Sequence, residues 1–323
     1  MSKKTIDFCE EILKKVSRSF ALTIPMLDED IYKEVMITYL QDRLLDNFED
    51  EVKNISLEER KYLMNRVVDI FDPNNNDSEA VQIIEDKADL FTDEALNELT
   101  ANASLLKEAY EMLDFEIKEI SYKWLKEMNK GMQIFLTKKV NTFSELDDYC
   151  YYVAGTVGGF LTDLIIKKSN LSKKEEDILK DNYKDAGLFL QKVNLIRDIK
   201  KDIENRDKNY WPLKELKIEE EMILDKDYKK EMEVALDKMI TDVENHINGL
   251  LKYMDNIPDK FSGYKKFFAV NNALGLATLE KIKNNKEQLF YDNKKVKVGK
   301  LQFLKIISFA EKTFYKKAES FIS

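Results

Sequence analysis

Two stretches of the chain carry pairs of aspartates spaced one helical turn apart. In the first, Tyr39, Arg43, Asp46 and Asp50 fall on one face if residues 39–50 form a helix. Carboxylate oxygens bind hard divalent cations, and an arginine one turn away can contact a phosphate group directly. The spacing therefore indicates a site in which Asp46 and Asp50 bind Mg²⁺ and Arg43 contacts an anionic substrate.

The second stretch repeats this arrangement further along the chain. Gln191, Asn194, Asp198 and Asp202 share one helical face, and Arg197 lies beside it. The amide oxygen of Asn194 can complete the oxygen shell of a metal ion that the aspartates bind. Two such faces opposite each other would hold Mg²⁺ ions bridged by diphosphate oxygens.

Acid pairs at this spacing also occur by chance on solvated helix faces. The chain has 61 Asp and Glu residues among 323, so many of its acid pairs have no binding function. The apolar neighbours of the first pair, which include Leu40, Leu44 and Phe48, favour a cleft over an outer face. Spacing alone leaves both interpretations open.

The composition predicts a helical protein. The chain has only nine glycines and four prolines, and we find no sustained alternation of period two. Ser56, Thr142 and Ser172 each stand three residues before a glutamate, as N-caps do. A separate helix over residues 184–204 is predicted to carry the second aspartate pair. Since repeats and flexible linkers are not evident, we expect one all-α domain over residues 1–323.

Charge and rare residue types exclude several classes of function. The net charge of −9 argues against a nucleic-acid partner. Cys9 and Cys150 have no CxxC partner and are expected to be reduced thiols. The single histidine, His246, leaves no multi-histidine zinc site and argues against a Ser–His hydrolase. A metal would therefore be held by carboxylates, which favours Mg²⁺.

The N-terminal segment does not have the pattern of a secretory signal, because it carries acids and lacks a long apolar run. The most apolar stretch, residues 153–166, is interrupted by Thr156, Thr162 and Asp163, so no transmembrane helix is expected. We expect a cytoplasmic protein.

At these residues the sequence resembles the squalene/phytoene synthase family. Four blocks carry the resemblance, namely Ser17-Arg-Ser-Phe20, the segment Tyr39–Asp50, Tyr149-Cys-Tyr-Tyr-Val-Ala-Gly-Thr-Val-Gly158, and Phe189-Leu-Gln-Lys-Val-Asn-Leu-Ile-Arg-Asp198 continuing through Asp202 to Tyr210-Trp-Pro212. The last block is the most specific and is more similar to the squalene branch than to the carotenoid branch. The similarity extends roughly over residues 16–300.

The resemblance implies an isoprenoid synthase bundle of helices around a central hydrophobic cavity, in which two farnesyl diphosphates are joined head to head. The first loses its diphosphate, its C1 cation attacks the double bond of the second, and proton loss gives a cyclopropyl intermediate. In the squalene branch this intermediate ionises again, rearranges and is reduced. The expected partner is thus farnesyl diphosphate, and the expected cofactors are Mg²⁺ and NADPH.

The resemblance also implies roles for individual residues. The implied metal ligands are Asp46, Asp50, Asp198 and Asp202, and the implied catalytic residues are Arg43, Arg197, Tyr39 and Tyr149. The implied substrate-binding residues are Ser17, Arg18, Ser19, Phe20, Val153, Gly155, Gln191 and Asn194, and the implied NADPH-binding residues are Asn284, Lys297 and Lys300. For the proton that is lost, Tyr149 and the released diphosphate are both candidate bases. Gly155 and Gly158 permit close approach either of a prenyl chain or of another helix.

Three positions depart from the family pattern. Lys201 stands before Asp202, where the family often has an acid. Asn271 stands where the family usually has proline, and Gly299 replaces an arginine. The last two lie in the region that the family associates with reduction, so the resemblance is weakest for the use of NADPH.

Three alternatives to squalene synthesis remain. Dehydrosqualene or phytoene synthesis would use the same chemistry without hydride transfer. A head-to-tail elongating enzyme would carry adjacent aspartates where this chain has Leu45-Asp46. A catalytically inactive helical binding protein is opposed by the presence of all four motif aspartates. Because the expected product is insoluble in water, we further expect the protein to contact a membrane peripherally. A monomer is also expected.

Overall fold

The computed structural model describes residues 2–52, 55–75, 77–206, 208–292 and 296–322. Within these ranges every regular element is a helix, so the all-α fold class is confirmed. The chain forms two compact units, one of residues 1–137 and 163–170, the other of residues 138–162 and 171–323. The single domain expected over residues 1–323 stays a prediction.

The N-terminal unit is built around one long buried helix. Its helices are α1 (Ser2–Val16), α2 (Phe20–Thr23), α3 (Glu29–Asp50), α4 (Leu57–Ile70), α5 (Ser78–Glu85), α6 (Glu94–Ala101), α7 (Ala103–Glu111) and α8 (Phe115–Phe135). Helix α3 packs against α1, α4, α7 and α8, and its side chains Leu40, Leu44 and Phe48 are fully buried. The apolar face that flanks the first aspartate pair is therefore core.

The C-terminal unit is built around α11. Its helices are α9 (Phe143–Cys150), α10 (Thr156–Lys167, grouped with the other unit from Asp163), α11 (Lys173–Arg197), α12 (Ile199–Lys201), α13 (Leu213–Leu216), α14 (Lys229–Glu244), α15 (Ile247–Asn256), α16 (Ser262–Asn284), α17 (Lys286–Tyr291), α18 (Lys300–Ser308) and α19 (Ala310–Ile322). Helix α11 packs against α14, α15 and α16. Two short π-helical segments, Tyr151–Gly155 and Asp202–Arg206, follow α9 and α12.

The predicted caps are confirmed, but one helix boundary is wrong. Ser56, Thr142 and Ser172 each accept a hydrogen bond from a backbone N–H three residues later, and Ser172 forms a full capping box with Glu175. The helix predicted over residues 184–204 is not a separate element: residues 184–197 belong to α11, which runs unbroken from Lys173 to Arg197, and the rest falls in α12 and the π-helical segment after it.

Glycines allow α11 to approach the π-helical segment closely. A Cβ on Gly187 would lie 2.6 Å from the carbonyl carbon and oxygen of Ala154, and a Cβ on Gly158 would lie 2.7 Å from the Tyr183 carbonyl oxygen. Both contacts are with backbone, which cannot rotate away as a side chain can. At Gly158 the structure therefore shows helix packing, one of the two roles that the sequence leaves open.

We expect Gly187→Ala to lower the free energy of unfolding by about 2 kcal/mol or more, because the new methyl overpacks a backbone contact. Gly299→Ala is the matched control, since a Cβ at Gly299 meets no atom of the described residues within 4 Å. Its effect should stay within about 1 kcal/mol, the scale of replacing a glycine N-cap by alanine, because Gly299 caps α18. Urea unfolding of the two variants measures the difference, and equal stabilities would contradict the packing argument.

One continuous helical stretch, Phe143–Lys167, is long and apolar enough to cross a membrane by length and composition alone. Burial of 56% of its apolar window makes this weak evidence, because buried core helices pass the same test. From the sequence no transmembrane helix was expected, because Thr156, Thr162 and Asp163 interrupt this stretch. Its mean hydropathy nevertheless remains high enough to pass the test of length and composition.

Candidate functional site

The segment between α1 and α2 meets α3 at Tyr39. The backbone N–H of Phe20 donates to Ser17 Oγ at 3.1 Å, and the rings of Phe20 and Tyr39 lie 5.2 Å apart. Burial raises the pKa of Tyr39, although a hydrogen bond with Ser17 and the charge of Arg43 partly offset it. Tyr39 is therefore protonated at neutral pH, and it links the Ser17–Phe20 block to the aspartate stripe.

Two other residues of that block are placed differently. Arg18 and Ser19 are exposed, and Ser19 occupies the N-cap position of α2 without a side-chain capping bond. Their predicted role in substrate binding stays a prediction.

Three carboxylates gather at the C-terminal end of α3. Ligand oxygens of Asp46, Glu49 and Asp50 lie within 4.8 Å of one another, and Glu49 is only 2% exposed. The last turn of α3 contains no basic residue, so these charges add to the partial negative charge of the helix end. Such a group is electrostatically unfavourable unless a cation neutralises it.

Arg43 supplies part of the neutralising charge. Its guanidinium forms an ion pair with Asp46, while its buried Nε has no hydrogen-bond acceptor among the residues that the structure describes. Burial lowers the pKa of Arg43, but Asp46 and neighbouring acids raise it more strongly. Arg43 therefore places a charged guanidinium beside the carboxylates, and a guanidinium can bind a diphosphate through its N–H groups.

Two acidic groups near this stripe were not identified from the sequence. Glu49 stands three residues after Asp46, at a spacing that also shares the helix face. Asp42 stands one turn before Asp46, and burial, followed by the charge of Asp46, raises its pKa well above the ordinary value. Counting acids at both i+3 and i+4 around Asp46 would have found them.

These residues fit Mg²⁺. The donor set around Asp46 consists of carboxylate oxygens alone, which hard divalent cations prefer. The carboxylates repel one another, and they lie at the C-terminal end of α3, which carries a partial negative charge. An added cation would reduce both of these repulsions.

The second aspartate pair lies where α11 ends. Asp198 caps α11, and its backbone N–H donates to the Asn194 carbonyl at 2.9 Å. Arg197 pairs with the Asp198 carboxylate, its Nε donating to Oδ2 at 3.2 Å. Asp202 begins the following π-helical segment. Gln191 and Asn194 are half-buried on the same helix, two turns and one turn before Asp198 respectively.

The lysines between these aspartates do not crowd the acidic face. Lys200 Nζ donates to the Asp292 carbonyl at 3.3 Å and lies 3.9 Å from Glu204. Lys201, which replaces the acid common in the family, is exposed.

Tyr149 lies in the last turn of α9, two residues before the first π-helical segment begins. It is 6% exposed and its ring stacks on that of Tyr210, with centroids 3.8 Å apart. Val153 and Gly155 lie within the π-helical turn itself, and Gly155 is buried. π-Helical turns are rare and frequently mark functional positions, so this feature supports a role for the segment.

The predicted NADPH-binding residues are exposed. Asn284 ends α16 and donates its side-chain amide to the Glu280 carbonyl, while Lys297 and Lys300 lie before and at the start of α18. At Asn271 helix α16 is continuous, and the side chain donates to the Phe267 carbonyl at 2.9 Å.

A second group with metal-ligand spacing surrounds a lysine. Asp147, Asp242 and His246 have ligand atoms within 4.8 Å of one another. The fully buried Lys192 donates to Asp242 at 2.6 Å, lies 2.9 Å from His246 Nε2, and forms an ion pair with Asp147. His246 Nδ1 in turn lies 2.7 Å from Asp185. The lysine ammonium supplies the positive charge that a metal would bring.

Comparison with known proteins finds squalene/phytoene synthases both by family profile and by individual relatives. The squalene/phytoene synthase family profile matches residues 13–302. Squalene synthase 1 from Arabidopsis thaliana is 30% identical over 305 residues, which cover 90% of this chain and 68% of the relative. Squalene synthase 3 from Panax ginseng is 32% identical over 285 residues, which cover 86% of this chain and 64% of the relative. The chain thus spans between 64% and 68% of the length of these two relatives.

Solved structures agree with this result. The complex of TcSQS with the ligand BPH1237 has a TM-score of 0.85 at 27% identity, covering 98% of this chain and 90% of that chain. A dehydrosqualene synthase in complex with ligand has a TM-score of 0.64 at 18% identity, covering 99% of this chain and 97% of that chain. The second likeness shows a common fold alone.

Proposed function

Because this chain belongs to the squalene/phytoene synthase family, we propose that it joins two farnesyl diphosphates head to head and reduces the product to squalene. The observation that carries the proposal is the group formed by Asp46, Glu49 and Asp50 beside Arg43, which is suited to a metal-bound diphosphate. The curated relatives named above are squalene synthases, which favours that branch for this chain.

Ionisation of the first substrate breaks the bond between C1 and the diphosphate oxygen, and the electron pair leaves with the diphosphate. Arg43 in the N-terminal unit and Arg197 in the C-terminal unit are each suited to bind a departing diphosphate, because each guanidinium lies beside a motif aspartate and offers N–H donors to phosphate oxygens. Asp46, Glu49 and Asp50 in the N-terminal unit, and Asp198, Asp202 and Asn194 in the C-terminal unit, are the residues that would hold Mg²⁺, which would supply further positive charge to the leaving diphosphate.

The allylic cation needs π faces and the exclusion of water. Phe20 and Tyr39 provide adjacent rings beside the first stripe, and Tyr149 with Tyr210 provides a stacked pair in the other unit. The double bond of the second substrate donates its electrons to C1, and loss of a proton closes the cyclopropane ring. Tyr149 and the released diphosphate are the two candidate acceptors of that proton.

Reduction to squalene requires a hydride, which NADPH supplies when bound. Lys297 and Lys300 are exposed cations that fit its phosphates, whereas Asn284 uses its amide within α16. The alternative product is dehydrosqualene, which forms without reduction. We further propose that the protein is cytoplasmic and monomeric.

Product analysis tests this function. Purified protein is incubated with farnesyl diphosphate and Mg²⁺, with and without NADPH, and the organic extract is analysed by mass spectrometry. We expect squalene only with NADPH and cyclopropyl diphosphate without it. Dehydrosqualene under both conditions would overturn the reductive step, while failure to release diphosphate would favour a binding protein. A parallel reaction with EDTA controls for metal-independent hydrolysis.

A further inference from the structure

The surface of helix α18 differs in charge from the chain as a whole. Residues 296–310 contain Lys297, Lys300 and Lys305 and no Asp or Glu, although the protein carries a net charge of −9. The two residues before this segment in the sequence are also lysines, Lys294 and Lys295. A basic segment of this kind in an acidic protein attracts anions locally, while the remainder of the surface repels them.

The same helix presents large apolar side chains to solvent. Leu301 is 86% exposed, Leu304 is 58% exposed, and Phe309, which caps the helix, is 59% exposed. Leu301 and Leu304 stand three residues apart and therefore point to the same side of α18. Ile306, which is 1% exposed, anchors the opposite side of the helix in the core.

This concentration of exposed apolar residues is unusual for the unit that contains it. Val234 on α14 is also 57% exposed but has no exposed large apolar neighbour on its helix among the residues described. Scattered apolar residues of that kind are normal on protein surfaces, whereas a group of them marks an interaction surface.

We propose that the face formed by Leu301, Leu304 and Phe309, with Lys300 and Lys305, docks on an anionic lipid bilayer. We refer to these five residues as the α18 face. Leucine and phenylalanine partition into the boundary between headgroups and acyl chains, while lysines contact the lipid phosphates. The acidic remainder of the protein is repelled by the same membrane, so that the α18 face is oriented towards it.

The charge of the α18 face argues against a partner that is purely apolar. A purely hydrophobic interface would exclude lysines from its core, but here Lys300 and Lys305 are exposed directly beside Leu301 and Leu304. A lipid surface accepts both types of side chain because lysine stems lie along the apolar layer and their ammonium groups reach the phosphates.

Vesicle co-sedimentation tests the proposal without any measurement of turnover. The full chain is mixed with phosphatidylcholine vesicles that contain either no phosphatidylserine or about 30% of it, a composition that makes the surface strongly anionic. We expect binding to the anionic vesicles that weakens as salt is raised. The variant Leu301→Ser/Leu304→Ser/Phe309→Ser should bind about a hundredfold more weakly.

Two further variants make the result specific. Val234→Ser removes an equally exposed apolar residue elsewhere in the unit and should bind like the wild type. Lys305→Glu should abolish the preference for anionic vesicles while leaving the circular dichroism spectrum unchanged. Wild-type protein that stays in the supernatant, or a triple variant that sediments like the wild type, would overturn the proposal.

Two other occupants are separated by the same samples. If the α18 face bound a second copy of the chain, the triple variant would change the mass measured by light scattering and leave sedimentation with vesicles unaltered. If it bound NADPH instead, the wild type would stay in the supernatant with both kinds of vesicle and Lys305→Glu would weaken NADPH binding. Either result would show that the α18 face binds that partner and not a lipid bilayer. Because turnover is not measured, failure here leaves the proposed synthase activity untouched.

Discussion

Replacement of Asp46 by asparagine should lower kcat by a factor on the order of a hundred to a thousand while leaving the fold intact. The amide keeps the shape of the carboxylate but removes one negative charge from the group it forms with Glu49 and Asp50. The metal is then held by fewer charged oxygens, and stabilisation of the leaving diphosphate is lost in the transition state. Asp198→Asn, which changes the aspartate pair of the C-terminal unit, should lower kcat by a similar factor.

A second readout separates metal binding from catalysis. A ligand that binds only the native state raises the unfolding temperature by mass action, so Mg²⁺ should raise that of the wild type. Asp46→Asn should lose most of this increase. Asp30→Asn is the matched control, because Asp30 lies on the same helix but is exposed in its first turn. Full turnover by Asp46→Asn and Asp198→Asn would show that the ligand assignment is wrong.

Much of the helical framework could be predicted from local sequence. The capping residues Ser56, Thr142 and Ser172 were identified correctly because a cap is defined by residues three apart. The stripe through Asp46 and Asp50 follows from helical spacing in the same way. Glu49 shares the helix face at a spacing of three from Asp46, as Arg43 does, but it was not among the predicted ligands.

Other features depend on packing between distant parts of the chain. The π-helical turn at Tyr151–Gly155 is pressed against α11 at Gly187, a contact that local sequence does not encode. The helix boundary predicted near residue 184 was wrong, because α11 runs unbroken from Lys173 to Arg197. The burial of Lys192 is the clearest case, because the sequence pattern gives an isolated lysine no reason to be buried.

Lys192→Met should be the most destabilising substitution considered for this chain, lowering the free energy of unfolding by about 3 kcal/mol. Lys192 is 0% exposed, and its ammonium is the shared partner of Asp242, Asp147 and His246. Methionine fills the volume of the aliphatic stem, so the loss arises from a carboxylate left buried without its counter-charge. Asp147 is nearly half exposed and contributes less, because water can solvate it.

The pH dependence of this loss distinguishes charge from packing. Burial already raises the pKa of Asp242 in the wild type, and Lys192 acts in the opposite direction. Without the lysine the pKa of Asp242 rises further above its unfolded value. A group whose pKa is raised on folding stabilises the native state below that pKa, and the stabilisation is lost as pH rises through it. Acidification from pH 7 to about 5 should therefore narrow the stability difference between the wild type and Lys192→Met.

The double variant Lys192→Met/Asp242→Asn, measured with the wild type and the single variants Lys192→Met and Asp242→Asn, completes a double-mutant cycle. Removing the buried charge together with its partner should restore more than half of the stability lost in Lys192→Met, because an amide is far less costly to bury than an unpaired carboxylate. Urea unfolding at both pH values measures all four proteins. A penalty that is unchanged by acid and unrelieved by Asp242→Asn would mean that Lys192 stabilises the C-terminal unit through the packing of its stem, and that Asp185 and His246 maintain the network without it.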